Sequence, residues 1–420
     1  MLWLIIFDCF LLAIGGILGV YRLQRSREIV KKAPSTVNHG ESKDEYKDIV
    51  IIIPVYNEQA VIRNYFMNFL PFMRKGIEVI YVGTNKEKGE IKTYDILNEL
   101  VNEFDIQDYC KIMLYPNSDG VMAHQINYAL RQIEDEKIVG VYNVDSFIGI
   151  QTIDYVLKNK DKLKNGVFQQ YSYSICSGKG MIRNGVMWQN RWSLAYELPR
   201  AARQYEFGIK KFNYTIGHGL FFSNKTINDI GLFSESHINE DNVLGYELSN
   251  NNIRIYPIPF LEKIDFAHNL PVYVKQQSVW FNGPLYAFNY FIDKKNERKN
   301  LIKQFITSCQ NFKNALNWFA FELLTFILLV YLGISGNLVW FAILLAETLF
   351  YVICPNIIAE KILYENGYIN QKERKGIRYV IREVVFWLLI HSAGPIITFG
   401  RILGRKNSQK NKYKTEKVVE

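Results

Sequence analysis

Residues 48–55, DIVIIIPV, are a run of mostly β-branched residues that closes on Pro54 and Val55. A run that is apolar on both faces is typical of a central strand in a parallel sheet, which helices cover on both sides. Further runs alternate after it, with strands predicted at 77–83, 111–115 and 138–144 and helices at 59–73, 91–104 and 121–134. This rhythm predicts a doubly wound α/β sheet, whose ligands bind at the carboxyl ends of the strands.

The apolar residues are unevenly distributed along the 420-residue chain. Residues 2–21 are long enough to cross ~30 Å of hydrocarbon. Five basic residues follow this run and none precedes it. We interpret it as a retained membrane anchor with residue 22 onward in the cytoplasm. The alternative is a signal peptide that is removed.

Further apolar runs lie near the carboxyl end of the chain. Residues 315–332 and 338–358 predict two membrane helices joined by a short uncharged turn. Residues 384–400 are also apolar, but His391, Gly394 and Pro395 interrupt them and basic residues flank both sides. We therefore favour a re-entrant or interfacial hairpin there, with a fourth span as the alternative.

Charge and cysteine content exclude several classes of protein. The net charge is +9, but the basic residues crowd the ends of the apolar runs, where cytoplasmic flanks place them. This pattern argues against nucleic-acid binding, which needs a basic folded face. The five cysteines are scattered without metal-type spacing. Few charged residues lie within the apolar runs, which argues against a transporter.

Polar motifs follow two of the predicted strands. Pro54-Val55-Tyr56-Asn57-Glu58 leaves the first strand, and Asn143-Val144-Asp145 leaves a later one. A carboxylate such as that of Asp145 would point into the ligand crevice, where it could bind a divalent cation on a diphosphate. An Asp in this position is also a common turn or helix cap, so the motif alone leaves both interpretations open.

Two later segments carry candidate chemistry. Glu240 and Asp241 lie at the start of a predicted helix, where a carboxylate could accept a proton from a sugar hydroxyl or serve as an ordinary cap. Gln276 and Trp280 share one helix face because they are four residues apart. The indole ring suits stacking on a sugar, and it is equally typical of a membrane-interface anchor.

In order and spacing, these segments resemble the membrane-bound family 2 glycosyltransferases, the group that holds hyaluronan, chitin and cellulose synthases. The resemblance covers residues 47–285. The segments that carry it are PVYNE (54–58), GVMAHQINYAL (120–130), NVD (143–145), GHGLFFSNKTINDIGLF (217–233), NED (239–241) and QQSVW (276–280).

The resemblance implies a GT-A fold and an inverting transfer from a nucleotide-sugar donor. Asp241 and Glu240 would be the catalytic residues, with Asp241 as the general base, and Asp145 would hold Mg²⁺ or Mn²⁺ on the donor diphosphate. The expected donor-binding residues are Pro54, Tyr56, Asn57, Glu58, Thr84, Asn143 and Asp145. The expected acceptor-binding residues are Gly217, His218, Gly219, Gln276 and Trp280.

The resemblance also implies an organisation and a setting. The expected segments are an anchor at 1–21, a basic and polar linker at 22–46, a cytoplasmic GT-A domain at 47–270, interfacial amphipathic helices at 271–314, transmembrane and re-entrant helices at 315–403, and a basic cytoplasmic tail at 404–420. The expected setting is the bacterial inner membrane, in capsule or exopolysaccharide synthesis. A glycan or lipid-linked acceptor is expected, and a homo-oligomer or polysaccharide-export partners are possible.

Four positions on the donor side depart from the family pattern. The family has an Asp after the second strand where this chain has Gly83-Thr84-Asn85, and a Lys after the helix-starting Gly where it has Val121-Met122. Asn143 and Val279 replace an Asp and an Arg. One explanation is an active enzyme with an altered donor pocket that uses other cations, such as Lys179, Arg183 or Arg191. The other is a non-catalytic scaffold in a polysaccharide-synthesis complex.

Overall fold

The computed structural model describes residues 1–36, 45–118, 120–207, 212–237, 239–293, 301–370 and 376–403. The expected tail at 404–420 and part of the expected linker, residues 37–44, lie outside this range. The chain divides into two compact units. The sheet unit comprises residues 32–172 and 201–265, and the helical unit comprises residues 1–31, 173–200 and the described residues from 266 onward.

A seven-stranded sheet organises the sheet unit, in the order β3-β2-β1-β4-β6-β5-β7. Its strands are β1 Ile49–Pro54, β2 Glu78–Thr84, β3 Cys110–Tyr115, β4 Ile138–Val141, β5 Gly166–Ile175, β6 Leu220–Ser223 and β7 Arg254–Asp265. Strands β3, β2, β1 and β4 are parallel, and β6 is antiparallel to both β4 and β5. The predicted mostly parallel α/β sheet is therefore confirmed.

The helices alternate with the first strands and then dominate the remainder of the chain. They are α1 Leu2–Lys32, α2 Ile62–Met73, α3 Thr93–Glu103, α4 Met122–Leu130, α5 Ile150–Lys158, α6 Ile182–Trp192, α7 Leu198–Phe207, α8 Asn224–Asp229, α9 Glu240–Asn250, α10 Leu270–Trp280, α11 Asn282–Leu285, α12 Ala287–Asp293, α13 Leu301–Ile334, α14 Leu338–Glu365, α15 Ile377–Val385 and α16 Ala393–Leu403.

The core of the sheet unit follows from the apolar pattern of β1 and α2. Ile51 and Ile53 point to one face of the sheet because strand side chains alternate. Phe66 and Phe69 lie on one face of α2 and belong to the same buried cluster as these isoleucines. Full burial of each such side chain contributes roughly 1.5–3 kcal/mol. This packing fixes β1, and with it the position of the residues that follow Pro54.

Within the part of the chain that the structure describes, four helical stretches are long and apolar enough to cross a membrane: Leu2–Thr36, Leu301–Ile334, Leu338–Glu365 and Ile377–Leu403. Helix α1 continues past the expected end of the anchor because Arg, Leu, Gln and Glu are good helix formers. The first part of the expected linker is therefore helical. Residues 301–314, expected within surface helices, are the start of α13 for the same reason.

Residues 377–403 form one helical stretch, in which a π-helical turn at Phe386–His391 separates α15 from α16. Pro395 does not break it because it lies in the first turn of α16, where a missing N–H is tolerated. Length and composition permit a span. The choice between a span and a re-entrant hairpin stays open.

Buried polar residues tie the helical unit together. Glu322 of α13 accepts hydrogen bonds from the His391 ring, at 2.7 Å, and from the Ser392 hydroxyl. Arg191 of α6 is 1% exposed, and its guanidinium lies between the rings of Trp188 and Tyr351. Arg191 thus stabilises the packing of apolar helices, so we do not assign it the role of a substitute cation for the donor.

Candidate active site

Glu87 ties together two loops at the carboxyl ends of β1 and β2. Its carboxylate is buried and accepts hydrogen bonds from Asn57 N at 2.5 Å, Thr93 N at 2.8 Å and Thr93 Oγ1 at 2.8 Å. The amide of Gln59 donates to it at 3.3 Å. Asn57 has a left-handed backbone, with φ of 53°, which presents its N–H to this carboxylate. Sequence reasoning missed Glu87, since one acid in a polar loop carries no distinguishing pattern.

An open cavity of about 680 Å³ lies above these loops, lined by Tyr56, Asn57, Gln59, Lys86, Lys88 and Ile91. The Lys86 ammonium is 5.5 Å from the centre of the Tyr56 ring. Two of the predicted donor residues, Tyr56 and Asn57, therefore line this cavity.

Three other predicted donor residues support the cavity without lining it. Pro54 ends β1. Glu58 is buried, and its N–H donates to Thr93 Oγ1 at 2.9 Å. Thr84 is buried, and its Oγ1 accepts from Lys86 N at 3.3 Å. Their structural roles are to shape the two loops.

Asn143 and Asp145 follow the carboxyl end of β4. Ser146 N donates to Asn143 O at 3.1 Å, which closes a tight turn around Asp145. The phenol of Tyr65 donates to Asp265 at 2.5 Å. Burial first, then the hydrogen bond to Asp265, raises the pKa of Tyr65, and the negative charges of Asp265, Asp145 and Glu58 raise this pKa further. Asp145 thus lies near the Tyr65 phenol and its partner Asp265.

Asp145 is the residue expected to bind Mg²⁺ or Mn²⁺. Within the described part of the chain, no three His, Cys, Asp or Glu side chains are grouped so as to hold a metal. Mg²⁺ often binds through one or two carboxylates together with substrate phosphates. Asp145 therefore fits as a protein ligand for a cation that arrives with a diphosphate, and a protein-only metal cage does not fit.

The loop before β6 lies at the same edge of the sheet as Asp145. Leu220 pairs with Val141 in antiparallel register, so Gly217, His218 and Gly219 lie beside the carboxyl end of β4. Gly219 has a φ of 67°, a conformation that favours glycine.

Two buried side chains fix His218. The Gln169 amide donates to His218 O at 2.8 Å. Glu262 of β7 is fully buried, and its Oε2 lies 2.8 Å from His218 Nδ1. His218 itself is 8% exposed. The loop is therefore rigidly placed, and Gln169 and Glu262 are two supporting residues that the sequence did not indicate.

Asp241 lies in the first turn of α9, as predicted, and faces the same loop. A β-carbon built on Gly217 would be 3.5 Å from Asp241 Oδ2. The Thr215 hydroxyl donates to Asp241 O at 2.7 Å. Glu240, the first residue of α9, is 3% exposed, whereas Asp241 is more accessible. A carboxylate at a helix N-terminus is stabilised in its ionised form, the form that a base requires.

Helix α4 lies between the loops after β1 and β2 and the first turn of α9, which holds Asp241. The Gln125 amide donates to Val55 O at 2.8 Å and to Val82 O at 2.6 Å, which joins α4 to the ends of β1 and β2. At the start of α4, Met122 Cε would be 3.7 Å from a β-carbon on Gly217. The cavity beside Tyr56 and the Asp241 side chain therefore border one edge of the sheet.

Gln276 and Trp280 belong to the helical unit, on α10. Helix α16 packs closely on this helix, because Gly394 allows its main chain to approach Gln277, and Thr398 Oγ1 donates to Ser278 O at 2.8 Å. Trp280 is 38% exposed. The predicted acceptor role of Gln276 and Trp280 stays a prediction.

Residues 47–283, more than half of the chain, match the model of the family described as glycosyltransferase like family 2. The chain belongs to this family and is a glycosyltransferase. No curated protein matches it in sequence.

Among solved structures, the chain is similar to the mannosyltransferase PcManGT from Pyrobaculum calidifontis, determined with GDP-Man and Mn²⁺. The two are 13% identical, with a TM-score of 0.53 over 96% of this chain and 100% of that one. At this identity the likeness shows the fold alone, and that fold is GT-A.

Two structures of S. aureus TarS 1-349 are more distant. One is 12% identical over 85% of this chain and 91% of that chain, with a TM-score of 0.41. The other, a complex with UDP-GlcNAc, is 14% identical over 85% and 92%, with a TM-score of 0.44. Both scores are too low to support an argument about this chain.

Proposed function

We propose that this glycosyltransferase acts at a membrane and transfers a sugar, with inversion, from a nucleotide-diphosphate sugar to a glycan or lipid-linked acceptor. The observation that carries the proposal is the position of Asp241. Its carboxylate borders Gly217, on the sheet edge that also holds the donor cavity beside Tyr56. Ligands of doubly wound sheets bind at this edge.

Asp241 supplies the base in this mechanism. Its carboxylate takes the proton from an acceptor hydroxyl as the hydroxyl oxygen forms a bond to the anomeric carbon. The bond from that carbon to the donor phosphate breaks on the opposite face, so the configuration inverts and the nucleoside diphosphate leaves. Gly217 leaves space beside Asp241 because it has no side chain.

Asp145 is the residue that fits a Mg²⁺ or Mn²⁺ ion carried by the donor diphosphate. Such a cation would neutralise the charge of the leaving group. Lys86 and Lys88 line the cavity beside Tyr56, where they would contact the donor nucleotide. His218, held by Glu262, would position the acceptor next to Asp241.

The test is to purify the full chain with Asp241→Asn and measure transfer of labelled sugar beside nucleotide binding. General-base catalysis typically contributes 10²–10⁴-fold. We expect a loss of transfer in that range with the nucleotide dissociation constant unchanged. Asp161→Asn, at an exposed surface site, is the matched control. Full transfer by Asp241→Asn would reject the proposed base.

A scaffold function is the second candidate, and the substitutions Asn143 and Val279 favour it because each removes a charged donor contact of the family. A scaffold predicts no transfer by the wild-type chain from any nucleotide sugar. It also predicts that Asp241→Asn leaves the cellular polysaccharide unchanged. Loss of that polysaccharide in Asp241→Asn cells would reject the scaffold.

The four apolar helical stretches support residence in a membrane. We infer a bacterial inner membrane with the sheet unit in the cytoplasm, and a role in capsule or exopolysaccharide synthesis. The five basic residues that follow the apolar run at 2–21 motivate this orientation. Labelling of an exposed cysteine at Lys164→Cys in intact cells, against permeabilised cells, tests it. Labelling in intact cells would place the sheet unit outside.

A further inference from the structure

The loop after β2 has unusual chemistry for a pocket that binds a nucleoside. Lys86 and Lys88 line the cavity beside Tyr56, and both side chains are exposed. Neither ammonium group pairs with a carboxylate among the residues that the structure describes. The cavity therefore presents positive hydrogen-bond donors that are available to a ligand.

The carboxylate that lies between the two lysines in sequence is already engaged. Glu87 lies between the two lysines in sequence, yet it is 6% exposed and turned inward. Both of its oxygens accept hydrogen bonds, from Asn57, Gln59 and Thr93. Among the six residues that line the cavity, none is acidic. An N–H group of a ligand would therefore find no carboxylate acceptor in this lining.

The apolar part of the lining suits a planar ring. Tyr56 offers an aromatic face, and Ile91 is 65% exposed at the cavity although it is aliphatic. A flat heterocycle can bury area against both, as ligand pockets commonly combine apolar walls with a few polar groups. The polar groups then read the edge of that heterocycle.

We propose, on the basis of the function above, that this cavity selects a donor nucleotide whose base presents two adjacent hydrogen-bond acceptors. Cytosine has such a pair in O2 and N3, and guanine has one in O6 and N7. In uracil an N3–H donor separates the two carbonyl oxygens. In adenine the N7 acceptor lies beside an amino donor. The Lys86 and Lys88 ammonium groups can donate to the acceptor pair of cytosine or guanine. The N3–H of uracil and the amino group of adenine are donors, and two ammonium groups leave them without an acceptor.

The experiment measures dissociation constants of CDP, GDP, UDP and ADP for the purified full chain at one Mn²⁺ concentration. Inorganic pyrophosphate serves as a probe without a base. We expect CDP, GDP or both to bind about tenfold tighter than UDP and ADP, the effect of one charge-assisted hydrogen bond. Lys86→Met and Lys88→Met should reduce this ratio toward one and leave pyrophosphate binding unchanged. Lys164→Met, at an exposed site outside the cavity, should change nothing.

Two results would overturn the inference. One is that UDP or ADP binds as tightly as CDP and GDP. This comparison of dissociation constants needs only the wild-type chain. The other is an equal weakening of all four nucleotides and of pyrophosphate in the lysine variants, which would show that the lysines bind phosphate. Preference for UDP would leave the proposed function intact. Failure of a folded chain to bind any of the four nucleotides would reject the proposed function as well.

Discussion

Gly245 of α9 lies so close to Tyr214 that a β-carbon on Gly245 would be 2.5 Å from the Tyr214 Cα. The same β-carbon would be 2.8 Å from Asn213 O. Both contacts are with main-chain atoms, which cannot rotate away. This close approach packs α9 against the segment that contains Thr215. It therefore fixes the position of Asp241, in the first turn of α9, relative to the sheet edge.

Gly245→Ala should therefore destabilise the sheet unit although alanine favours helices. Overpacking of this kind costs typically 1–3 kcal/mol, and the gain in helix propensity recovers about 1 kcal/mol. We expect a net loss of unfolding free energy, measured by denaturant titration, together with slower sugar transfer. Gly400→Ala in α16, where no side chain or other segment beyond the adjacent residues lies within 4 Å of the added carbon, should not be destabilising. Equal effects of the two substitutions would contradict the packing argument.

Glu87→Gln should weaken nucleotide binding although Glu87 does not line the cavity, because its carboxylate holds the two loops that do. An amide offers one acceptor oxygen and turns its NH₂ group toward N–H donors that the carboxylate now satisfies. Hydrogen bonds to a charged group are worth roughly 1.5–3 kcal/mol, so a loss of nucleotide affinity of about tenfold is expected. Isothermal titration measures it. Glu99→Gln, at an exposed surface pair with Arg63, is the matched control and should bind nucleotide normally.

Glu262→Gln should loosen His218 and affect the acceptor side only. The Glu262 carboxylate is fully buried and holds the imidazole at 2.8 Å. We expect the acceptor KM to rise about tenfold, from the loss of one charge-assisted hydrogen bond, while the nucleotide dissociation constant stays unchanged. Glu136→Gln on the surface is the control. A change in nucleotide affinity as large as the change in acceptor KM would show that Glu262 affects donor binding as well as acceptor binding, and it would disprove the prediction.

Cys110 should be an unreactive thiol in the folded chain. Burial raises its pKa from 9.0 to about 12, and the side chain is 5% exposed. Reaction with a maleimide at pH 8, followed by peptide mass spectrometry, should leave Cys110 unmodified until the chain is denatured. Rapid labelling of the native chain would show that β3 opens.

The same pKa shift gives a pH dependence with a definite sign. Above pH 9 the unfolded chain releases the Cys110 proton, whereas the folded chain keeps it up to about pH 12. The unfolding free energy should therefore fall with rising pH in this window, by at most about 1.4 kcal/mol per pH unit from this group. Comparison with Cys110→Ala isolates the contribution, since other titrating groups are shared. Parallel curves for the two chains would refute it.

The sequence predicted the first half of the sheet well because its strands are apolar on both faces. The run at 48–55 became β1, and those at 77–83 and 138–144 became β2 and β4. Strand β5 escaped prediction because Gln169 and Gln170 interrupt its apolar pattern. These glutamines are fully buried. The Gln169 amide donates to His218 O in the loop before β6, and the Gln170 amide donates to the Thr152 hydroxyl of α5.

The candidate site was predicted in part for a related reason. Motifs indicated Tyr56, Asn57 and Asp241, and the structure brings their elements to one edge of the sheet. Lys86, Lys88 and Glu87 were missed because a loop with alternating charges is most often a solvated surface. Only the fold shows that one of these side chains turns inward while its two neighbours line a cavity.

The pairing of β4 with β6 has a consequence for biosynthesis. Val141 of β4 can pair with Leu220 of β6 only after Leu220 has been synthesised. The intervening chain includes residues 173–200, which belong to the other unit. While the ribosome has yet to release residue 220, β4 has one unpaired flank with exposed amide and carbonyl groups, which invites pairing between nascent chains. A chain stalled before this point should need a chaperone to stay soluble, and synthesis past it should lift that need.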